Sequence, residues 1–394
     1  MLSQITKTKT LSDQLCDTTS PSFLFGSTPP RDGTDKDKAE ESCVKFTHRS
    51  AVLATDGFIV YDIQDEKGRT TMERPFPFRK TLDPSWYGSL FPKHSAKQTV
   101  IYKCIIEHSI EAFEEWVNNA IKVHNHNSFV LVGAPTSTTK AATTMKEAAM
   151  VINKQGPDIS FGCVAIAERH TKKNNEQFNM MRKQNYGAKY FITQGIFNSV
   201  AIIRLLKDYG TLCRELDVEP RKVILTFAPC GRAKTLQFIK WLGMSVPESV
   251  EQRILGAKTV DLADGERDLG PVNESCKLLL EVFKEVLEAV GDCGVPIGIN
   301  VESLSIFREE IDAAHTLFGG LQSMLLNAHK TSSGKSWAVK WYQVGDGYSA
   351  YDEVVVLQKE ERLRKQYLFI TMVMGSLFGF ALGQQRMIQK FVSR

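Results

Sequence analysis

The segment CVAIAERHTKKNNEQFNMMRKQNYGAKYFITQGIFN, residues 163–198, decides how this 394-residue chain is expected to fold. It begins within an apolar run, residues 161–166, that ends in charged residues. A basic stretch with helical spacing follows, and a second apolar run, residues 190–193, ends in Gln194. Parallel β/α barrels place polar side chains at the carboxyl ends of apolar strands and join successive strands by helices. The segment therefore predicts one strand–helix–strand unit of such a barrel, with a functional site at the strand ends.

The same alternation continues along most of the chain. Runs rich in Val, Ile and Phe, typical of strands buried on both faces, alternate with helical patterns. Eight runs are candidate strands: residues 22–27, 57–63, 99–105, 128–133, 159–166, 190–196, 222–228 and 295–301. The fold class predicted is α/β, a closed (β/α)8 TIM barrel over residues 21–328. A doubly wound open sheet is the alternative, because periodicity does not reveal closure.

The segments outside residues 21–328 are predicted to be appendages. Residues 1–20 have no apolar core of a secretory signal and are interpreted as a disordered leader, with a mitochondrial transit peptide as the alternative. Residues 329–366 form a polar extension. Residues 367–383 carry no charge, are apolar all round and contain a GxxxGxxxG row. Residues 367–385 are therefore predicted to be a C-terminal hydrophobic helix, either membrane-spanning or docked on the protein.

The composition argues against several function classes. A net charge of +4, spread along the chain, gives no reason to expect nucleic acid as a partner. The eight cysteines are scattered singly, with neither the spacing of metal ligands nor a disulfide framework, so a reducing compartment is expected. The predicted location is the cytoplasm or a membrane surface facing it through the tail, with the mitochondrion left open.

A known family shares the motifs of the opening segment. EQFNMMRK, residues 176–183, has the E/D-x-x-N-x-x-R-K spacing, with His170 before it and Gln194 at the end of the next strand. The segment resembles the methylenetetrahydrofolate reductase family of flavin-dependent barrels. A second stretch, WLGMSVPESVEQRI at residues 241–254, is similar to another helix of that family.

The resemblance implies FAD as the cofactor and NAD(P)H as the co-substrate. Basic side chains suit the two phosphates of the dinucleotide, and a carboxylate can hold paired ribose hydroxyls. Histidine would lie beside the flavin ring. The residues assigned to the cofactor are His170, Glu176, Asn179, Arg182, Lys183 and, at the end of the third strand, Lys103.

The resemblance also implies a folate substrate, with 5,10-methylenetetrahydrofolate reduced to 5-methyltetrahydrofolate. Gln194 would bond the pterin, since an amide offers a donor and an acceptor together. Thr28 and Glu168, which follow the first and fifth strands, are the other substrate-binding candidates. Asn300 and Glu302, at and just after the end of the eighth run, complete the ring of polar strand ends.

Two features of the family are missing from this sequence. The first strand of the family carries a glutamate that protonates the folate, but here the matching position falls on Leu24 or Gly26. Neither residue can transfer a proton. The Arg-Gly-Asp of the fourth strand is replaced by Val-Gly-Ala-Pro at residues 132–135. The first and fourth strands therefore lack the residues that the family uses in its site.

The second strand offers substitutes for the missing acid. Tyr61, Asp62 and Asp65 follow it and are the predicted catalytic proton donors, provided that burial raises their pKa. A solvated loop is the alternative interpretation. The aromatic stretch at residues 74–78, RPFPF, comes next and could cover a planar ligand.

Two other functions stay open at this stage. One is a membrane-tethered binding or regulatory barrel that has lost catalysis. The other is a reductase of the same fold that works without flavin, by direct hydride transfer from nicotinamide. No metal site is predicted. Contact with a membrane through residues 367–383 and self-association into a homo-oligomer are the further partner hypotheses.

Overall fold

The chain folds as the closed barrel that the strand rhythm predicts. The computed structural model describes residues 9–65, 70–134, 141–261, 267–268 and 270–331, and within them eight parallel strands close on themselves. The prediction of an α/β barrel is confirmed, and the open-sheet alternative is wrong. In order round the barrel the strands are β1 (Phe23–Ser27), β2 (Gly57–Val60), β3 (Thr99–Cys104), β4 (Ser128–Val132), β5 (Ser160–Ala165), β6 (Tyr190–Gly195), β7 (Lys222–Phe227) and β10 (Ile297–Val301), which pairs with β1.

Helices follow the strands and form the outer layer of the barrel. Polar caps fix where several of them begin: the Ser109 hydroxyl accepts from the Ala112 amide, and Thr144 forms a capping box with Glu147. A short antiparallel ribbon, β8 (Val260–Asp261) with β9 (Arg267–Asp268), precedes the penultimate helix. The helices of the described residues are α1 (Leu11–Cys16), α2 (Lys36–Ser50), α3 (Pro84–Gly88), α4 (Phe91–Ser95), α5 (Ile110–Lys122), α6 (Met145–Asn153), α7 (Ala167–Lys173), α8 (Glu176–Asn185), α9 (Ser199–Glu215), α10 (Ala233–Trp241), α11 (Glu248–Gly256), α12 (Gly270–Val290) and α13 (Arg308–Thr331).

The amino end of the barrel is closed by the first helix. Leu11 and Leu15 of α1 are buried and pack in the same core cluster as the inward side chains of the strands. The Leu11 amide donates to Oε1 of Gln98, which lies just before β3, at 2.7 Å. The inward side chains of this cluster are Leu24, Ile59, Val100, Tyr102, Val130, Tyr190, Ile192 and Ile224. The apolar core therefore fills the barrel from its amino end, and the polar side chains lie at the carboxyl ends of the strands.

Helix α1 corrects the prediction made for the first twenty residues. A disordered leader over residues 1–20 is wrong for residues 11–16, because two leucines of this short segment supply apolar surface to the barrel. Thr10 and Asp13 cap the helix reciprocally. Residues 1–8 lie outside the described residues.

Helix α13 closes the barrel and ends the described part of the chain. Most of the predicted polar extension, residues 329–366, and all of the predicted helix at residues 367–385 lie outside the described residues. Among the helices that are described, none has the length and apolar character needed to cross a membrane. The membrane contact proposed for residues 367–383 stays a prediction.

Candidate active site

Alternation along the strands sorts the polar residues at the mouth of the barrel into inner and outer groups. Tyr61, just after β2, faces the interior, where its ring packs on that of Tyr102 with centroids 4.9 Å apart. Lys103, the next residue on β3, is buried against α5, with Nζ 4.8 Å from the centre of the Trp116 ring. Of these predicted site residues, Tyr61 belongs to the interior and Lys103 to the interface between barrel and helices.

Tyr61, Asn300 and Glu302 form a hydrogen-bonded cluster inside the mouth. Nδ2 of the fully buried Asn300 donates to the Tyr61 hydroxyl at 2.9 Å and to Oγ1 of Thr226 at 3.2 Å. The Tyr61 hydroxyl in turn donates to the Glu302 carboxyl. Burial raises the pKa of Glu302 to about 7, and burial beside Glu302 raises the pKa of Tyr61 well above its usual range. At neutral pH the Glu302 carboxyl can therefore both give and take a proton.

Gly26 makes room for this cluster. A Cβ atom at position 26 would lie 2.8 Å from Cε2 of Tyr61, 2.9 Å from its hydroxyl oxygen and 3.0 Å from Cβ of Glu302. The two separations from Tyr61 are shorter than real Cβ contacts show, so a side chain at position 26 requires Tyr61 to shift from its present place. The carboxyl group at this point of the barrel comes from the end of β10 and not from β1.

Glu302 is the residue that sequence reasoning did not select for chemistry. The sequence pattern includes Glu302 in the ring of polar strand ends but indicates no catalytic role for it. The available signal was its spacing: it lies two residues after Asn300 and therefore on the same, inward side of the chain.

The other two proton donors predicted after β2 lie in different surroundings. Oδ2 of Asp62 accepts from the Cys104 amide at 2.8 Å, and Oδ1 accepts from Nε2 of Gln64 at 2.8 Å. Burial raises the pKa of Asp62, and the charge of Lys103 opposes that rise. Asp65 is half-buried beside Arg74, whose Nη1 donates to the Asp65 carbonyl oxygen at 2.7 Å. The carboxyl group that is hydrogen-bonded to Tyr61 thus belongs to Glu302 and not to Asp62 or Asp65.

The four cofactor candidates of the EQFNMMRK motif lie along α8 and bond mainly to one another. Glu176 is fully buried, and Oε2 accepts from Nδ2 of Asn179 at 2.9 Å. Its Oε1 accepts from the Ile166 amide at 3.4 Å and lies 3.7 Å from Nζ of Lys183. That ammonium donates to the Val164 carbonyl oxygen at 2.7 Å, while the exposed Arg182 donates to Oδ1 of Asn179 at 2.8 Å.

These contacts test whether the motif can hold FAD. The carboxylate that would bind ribose hydroxyls has no exposed surface, and both of its oxygens accept from groups of the chain itself. The ammonium of Lys183 is turned towards the end of β5. As they stand, the residues do not fit a flavin dinucleotide. They brace α8 against the carboxyl end of β5.

His170 lies in the helical layer. Its side chain is fully buried, and Nε2 is 2.8 Å from Oδ2 of Asp208 on α9. The Asp208 carboxylate also lies 3.8 Å from Nε of Arg204. The structure therefore places His170 between α7 and α9, apart from the cluster of Tyr61.

Two of the substrate-binding candidates converge on one loop. Nε2 of Gln194 donates to the Leu242 carbonyl oxygen at 3.3 Å, and Oε1 of Glu168 accepts from the Ser245 amide at 3.1 Å. Both side chains are half-buried. Thr28, the third candidate, follows β1 and is exposed. The loop after α10 thus brings Gln194 and Glu168 to the same wall of the mouth.

An aromatic segment reaches across the mouth towards this wall. The Arg74 guanidinium lies 4.5 Å from the centre of the Trp241 ring, and Phe76 packs edge-on against Phe238 with centroids 5.5 Å apart. Arg74 follows β2, whereas Phe238 and Trp241 belong to the helix after β7; β1 and β10 separate these two strands. We call residues 70–82 the β2 strap, because they join distant parts of the rim.

The N-terminus of α10 is occupied by a side chain of the protein. Glu310 of α13 is fully buried, and Oε1 accepts from the amides of Gly231 at 2.6 Å and Arg232 at 2.9 Å. Its Oε2 accepts from Oγ1 of Thr235 at 2.9 Å. TIM barrels often bind phosphate in this region, where helix amides attract anions. Here the carboxylate of Glu310 takes that place.

The fold and this arrangement define a TIM-barrel protein whose polar site, with the carboxyl of Glu302 in it, lies at the carboxyl ends of the strands. A solved structure from Clostridium thermocellum, described as an uncharacterized protein that binds two copies of 5-methyl-5,6,7,8-tetrahydrofolic acid, is 30% identical to the chain. The match covers 80% of this chain and 100% of that one, with a TM-score of 0.65. The chain belongs to the same family as that protein.

Other comparisons add little. A 2,3-dimethylmalate lyase is 8% identical over 91% of this chain and 95% of its own, with a TM-score of 0.40. The 7,8-dihydropteroate synthase of Vibrio fischeri is 9% identical over 78% and 94%, with a TM-score of 0.37. Similarities this low carry no argument about function. No protein-family model matches the chain, and neither does any curated protein.

Proposed function

We propose that the chain binds a reduced folate of the 5-methyltetrahydrofolate class in the mouth of the barrel, as a protein like the methylenetetrahydrofolate reductases. The observation that carries this proposal is the 30% identity to a protein that binds two copies of 5-methyltetrahydrofolate and is matched over its whole length. The motifs at Gln194 and at residues 241–254, which resemble the reductase family, support the same ligand.

The chemistry of the mouth suits a reduced pterin. Gln194 carries a donor and an acceptor for the polar edge of the ring, and the loop after α10 holds it in place. The partly buried phenol ring of Tyr61, supported from below by Tyr102, offers planar apolar surface beside polar atoms. Arg74 and Lys234 place positive charge at the β2 strap, where the carboxylates of a folate glutamate could be attracted.

Calorimetric titration of the full chain with 5-methyltetrahydrofolate tests the proposal. Saturable binding is expected, and Gln194→Ala should weaken it by about tenfold, the effect of one lost hydrogen bond to a ligand. Gln155→Ala, at the opposite end of the barrel, is the matched control and should bind like the wild type. A wild-type chain that gives no heat of binding would overturn the proposal.

A second candidate function is reduction of 5,10-methylenetetrahydrofolate to 5-methyltetrahydrofolate with NAD(P)H. The observation that favours it is the Glu302 carboxyl, whose pKa burial raises to about 7 inside the mouth. Because the FAD motif is occupied by contacts within the chain, the reaction proposed here takes hydride directly from the nicotinamide.

Turnover without added flavin, by a chain whose visible spectrum lacks flavin bands, supports this second candidate. Flavin that copurifies in stoichiometric amount would contradict the direct transfer. Folate binding without turnover would instead favour the non-catalytic binding barrel.

A further inference from the structure

The geometry points to Glu302 as the group that delivers a proton to a folate nitrogen in the mouth, with Tyr61 and Asn300 as its positioning residues. This inference rests on the proposed folate site and on the reduction given as the second candidate function, and it deepens them by naming the acid of that reaction. It replaces the candidates Asp62 and Asp65 with a residue of the last strand.

The reaction needs such a group for reasons of general chemistry. In the methylene form of a reduced folate, one carbon bridges two nitrogens. When one carbon–nitrogen bond breaks, its electron pair returns to nitrogen, and a proton must arrive there. The remaining iminium carbon then accepts hydride from the reduced nicotinamide and becomes a methyl group. One proton and one hydride are consumed, and the nicotinamide leaves oxidised.

The position of Glu302 is fixed by the barrel. Its amide donates to the Phe227 carbonyl oxygen at 3.0 Å, which extends the pairing of β10 with β7 beyond Val301. The ladder therefore keeps the side chain on the same inward side as Asn300. Glu302 is half-buried, so that protein surrounds the carboxyl while a ligand in the mouth can still reach it.

Burial favours the protonated form of the carboxyl, and the hydrogen bond from Tyr61 partly opposes this effect. The titratable side chains that face it within the described chain are the phenols of Tyr61, from the end of β2, and Tyr102, from β3. Burial raises the pKa of both phenols well above the usual range, so both are neutral. By contrast, Asp62 has the charge of Lys103 beside it. A carboxyl whose pKa lies near the working pH is suited to general acid catalysis.

Tyr61 and Asn300 act on Glu302 and not on the ligand in this scheme. The Asn300 amide donates to the Tyr61 hydroxyl at 2.9 Å, which leaves the phenolic hydrogen for the Glu302 carboxyl. Oδ1 of Asn300 is buried and has no hydrogen-bond partner among the described residues. The amide is therefore fixed through its nitrogen, and the chain of two bonds orients the carboxyl.

Glu302→Gln in the full chain tests the assignment. The variant should bind 5-methyltetrahydrofolate within about threefold of the wild type, whereas turnover of 5,10-methylenetetrahydrofolate with NAD(P)H should fall at least about 100-fold. Glu302→Asp should retain part of the activity. Glu288→Gln, on the exposed face of α12, is the matched control and should leave both measurements unchanged.

The pH profile separates an acid from a structural residue. Turnover by the wild type should decline as the pH rises through about 7, where the carboxyl loses its proton. Tyr61→Phe removes a donor to the carboxylate and should move this decline to higher pH. An unshifted decline would overturn the positioning role.

The outcomes distinguish the inference from the proposed function. If the wild type does not bind 5-methyltetrahydrofolate, the proposed function fails. If it binds and Glu302→Gln turns over like the wild type, or if no turnover occurs at all, the acid assignment fails while folate binding stands. If Glu302→Gln does not fold, infrared difference spectra of the wild type and of Glu302→Asp test the assignment instead, because they report whether a carboxyl is protonated. The assignment would be overturned if the wild type showed no carboxyl that is protonated at pH 6 and ionised at pH 8.

Discussion

Tyr61 and Asn300 form a hydrogen bond across strand β1, at the position of Gly26. Nδ2 of Asn300 is 2.9 Å from the Tyr61 hydroxyl, and the bond passes over Gly26 of β1. Strand β1 pairs with β2 on one side and with β10 on the other. Three segments far apart in sequence therefore build one small polar cluster. The absence of a side chain at Gly26 leaves the space that this cluster occupies.

Gly26→Ala should destabilise the fold although it adds only one methyl group. The new atom would overlap Tyr61 and Glu302, and such overpacking costs about 1–3 kcal/mol in the free energy of unfolding. Urea denaturation measures it. Gly256→Ala, where an added Cβ would meet nothing within 4 Å, is the control and should not destabilise. Equal unfolding midpoints for the two variants would show that Tyr61 and Glu302 shift to accommodate the added methyl group at little cost.

The stability of the protein should carry a signature of Glu302. Its pKa of about 7 lies above the ordinary value of 4.5, so the folded state holds this proton more tightly than the unfolded state. The stabilisation is complete below pH 4.5 and is lost as the pH rises through 7. At most it amounts to ~3 kcal/mol, less for a half-buried group.

Glu302→Gln isolates this effect, because the amide does not titrate. The variant and the wild type should differ little near pH 4.5, and the variant should gain relative stability up to about pH 8. Urea unfolding at several pH values checks this, and the difference between the two proteins cancels histidines that titrate in both. Parallel curves would contradict the raised pKa.

Leu15→Ala should test the role of α1. The leucine is fully buried at the amino end of the barrel, and truncation of such a residue costs about 2–5 kcal/mol. Leu216→Ala, at a position that is 52% exposed, should change the unfolding free energy by less than about 1 kcal/mol. A similar small effect at Leu15 would mean that the leader is dispensable after all.

Glu176→Gln should reveal a structural role for the EQFNMMRK motif. The amide has only one acceptor oxygen, so it loses the bond from Ile166 or from Asn179 and leaves Lys183 without its charged partner, a loss of about 1–3 kcal/mol for a buried site. Thermal unfolding measures it, with the exposed Glu115→Gln as the control. If the motif bound flavin, the variant would instead lose flavin absorbance with little change in stability.

The strands of the barrel could be predicted from the sequence because each is a short apolar run with its own turn signals. The beginning of the chain could not. Leu11 and Leu15 form too short a pattern to predict a helix, and only the open end of the barrel gives them a place to pack.

The candidate site was predictable only in part. Helical spacing correctly grouped Glu176, Asn179 and Lys183, but spacing is the same whether such residues face a ligand or one another. Tyr61 was selected from its position at a strand end. The role of Glu302 could not be predicted in this way, because its raised pKa depends on how closely the side chains at the ends of β2 and β10 pack around Gly26, which the strand order alone does not show.

The bond of Glu310 to α10 determines which wall of the mouth can move. Three hydrogen bonds to a buried carboxylate tie the first turn of α10 to α13, so that helix cannot tilt outward without exposing them. The β2 strap, in contrast, rests on α10 through the side chains of Arg74 and Phe76. We therefore expect the part of the strap around Arg74 and Phe76, rather than α10, to move when a ligand enters the mouth.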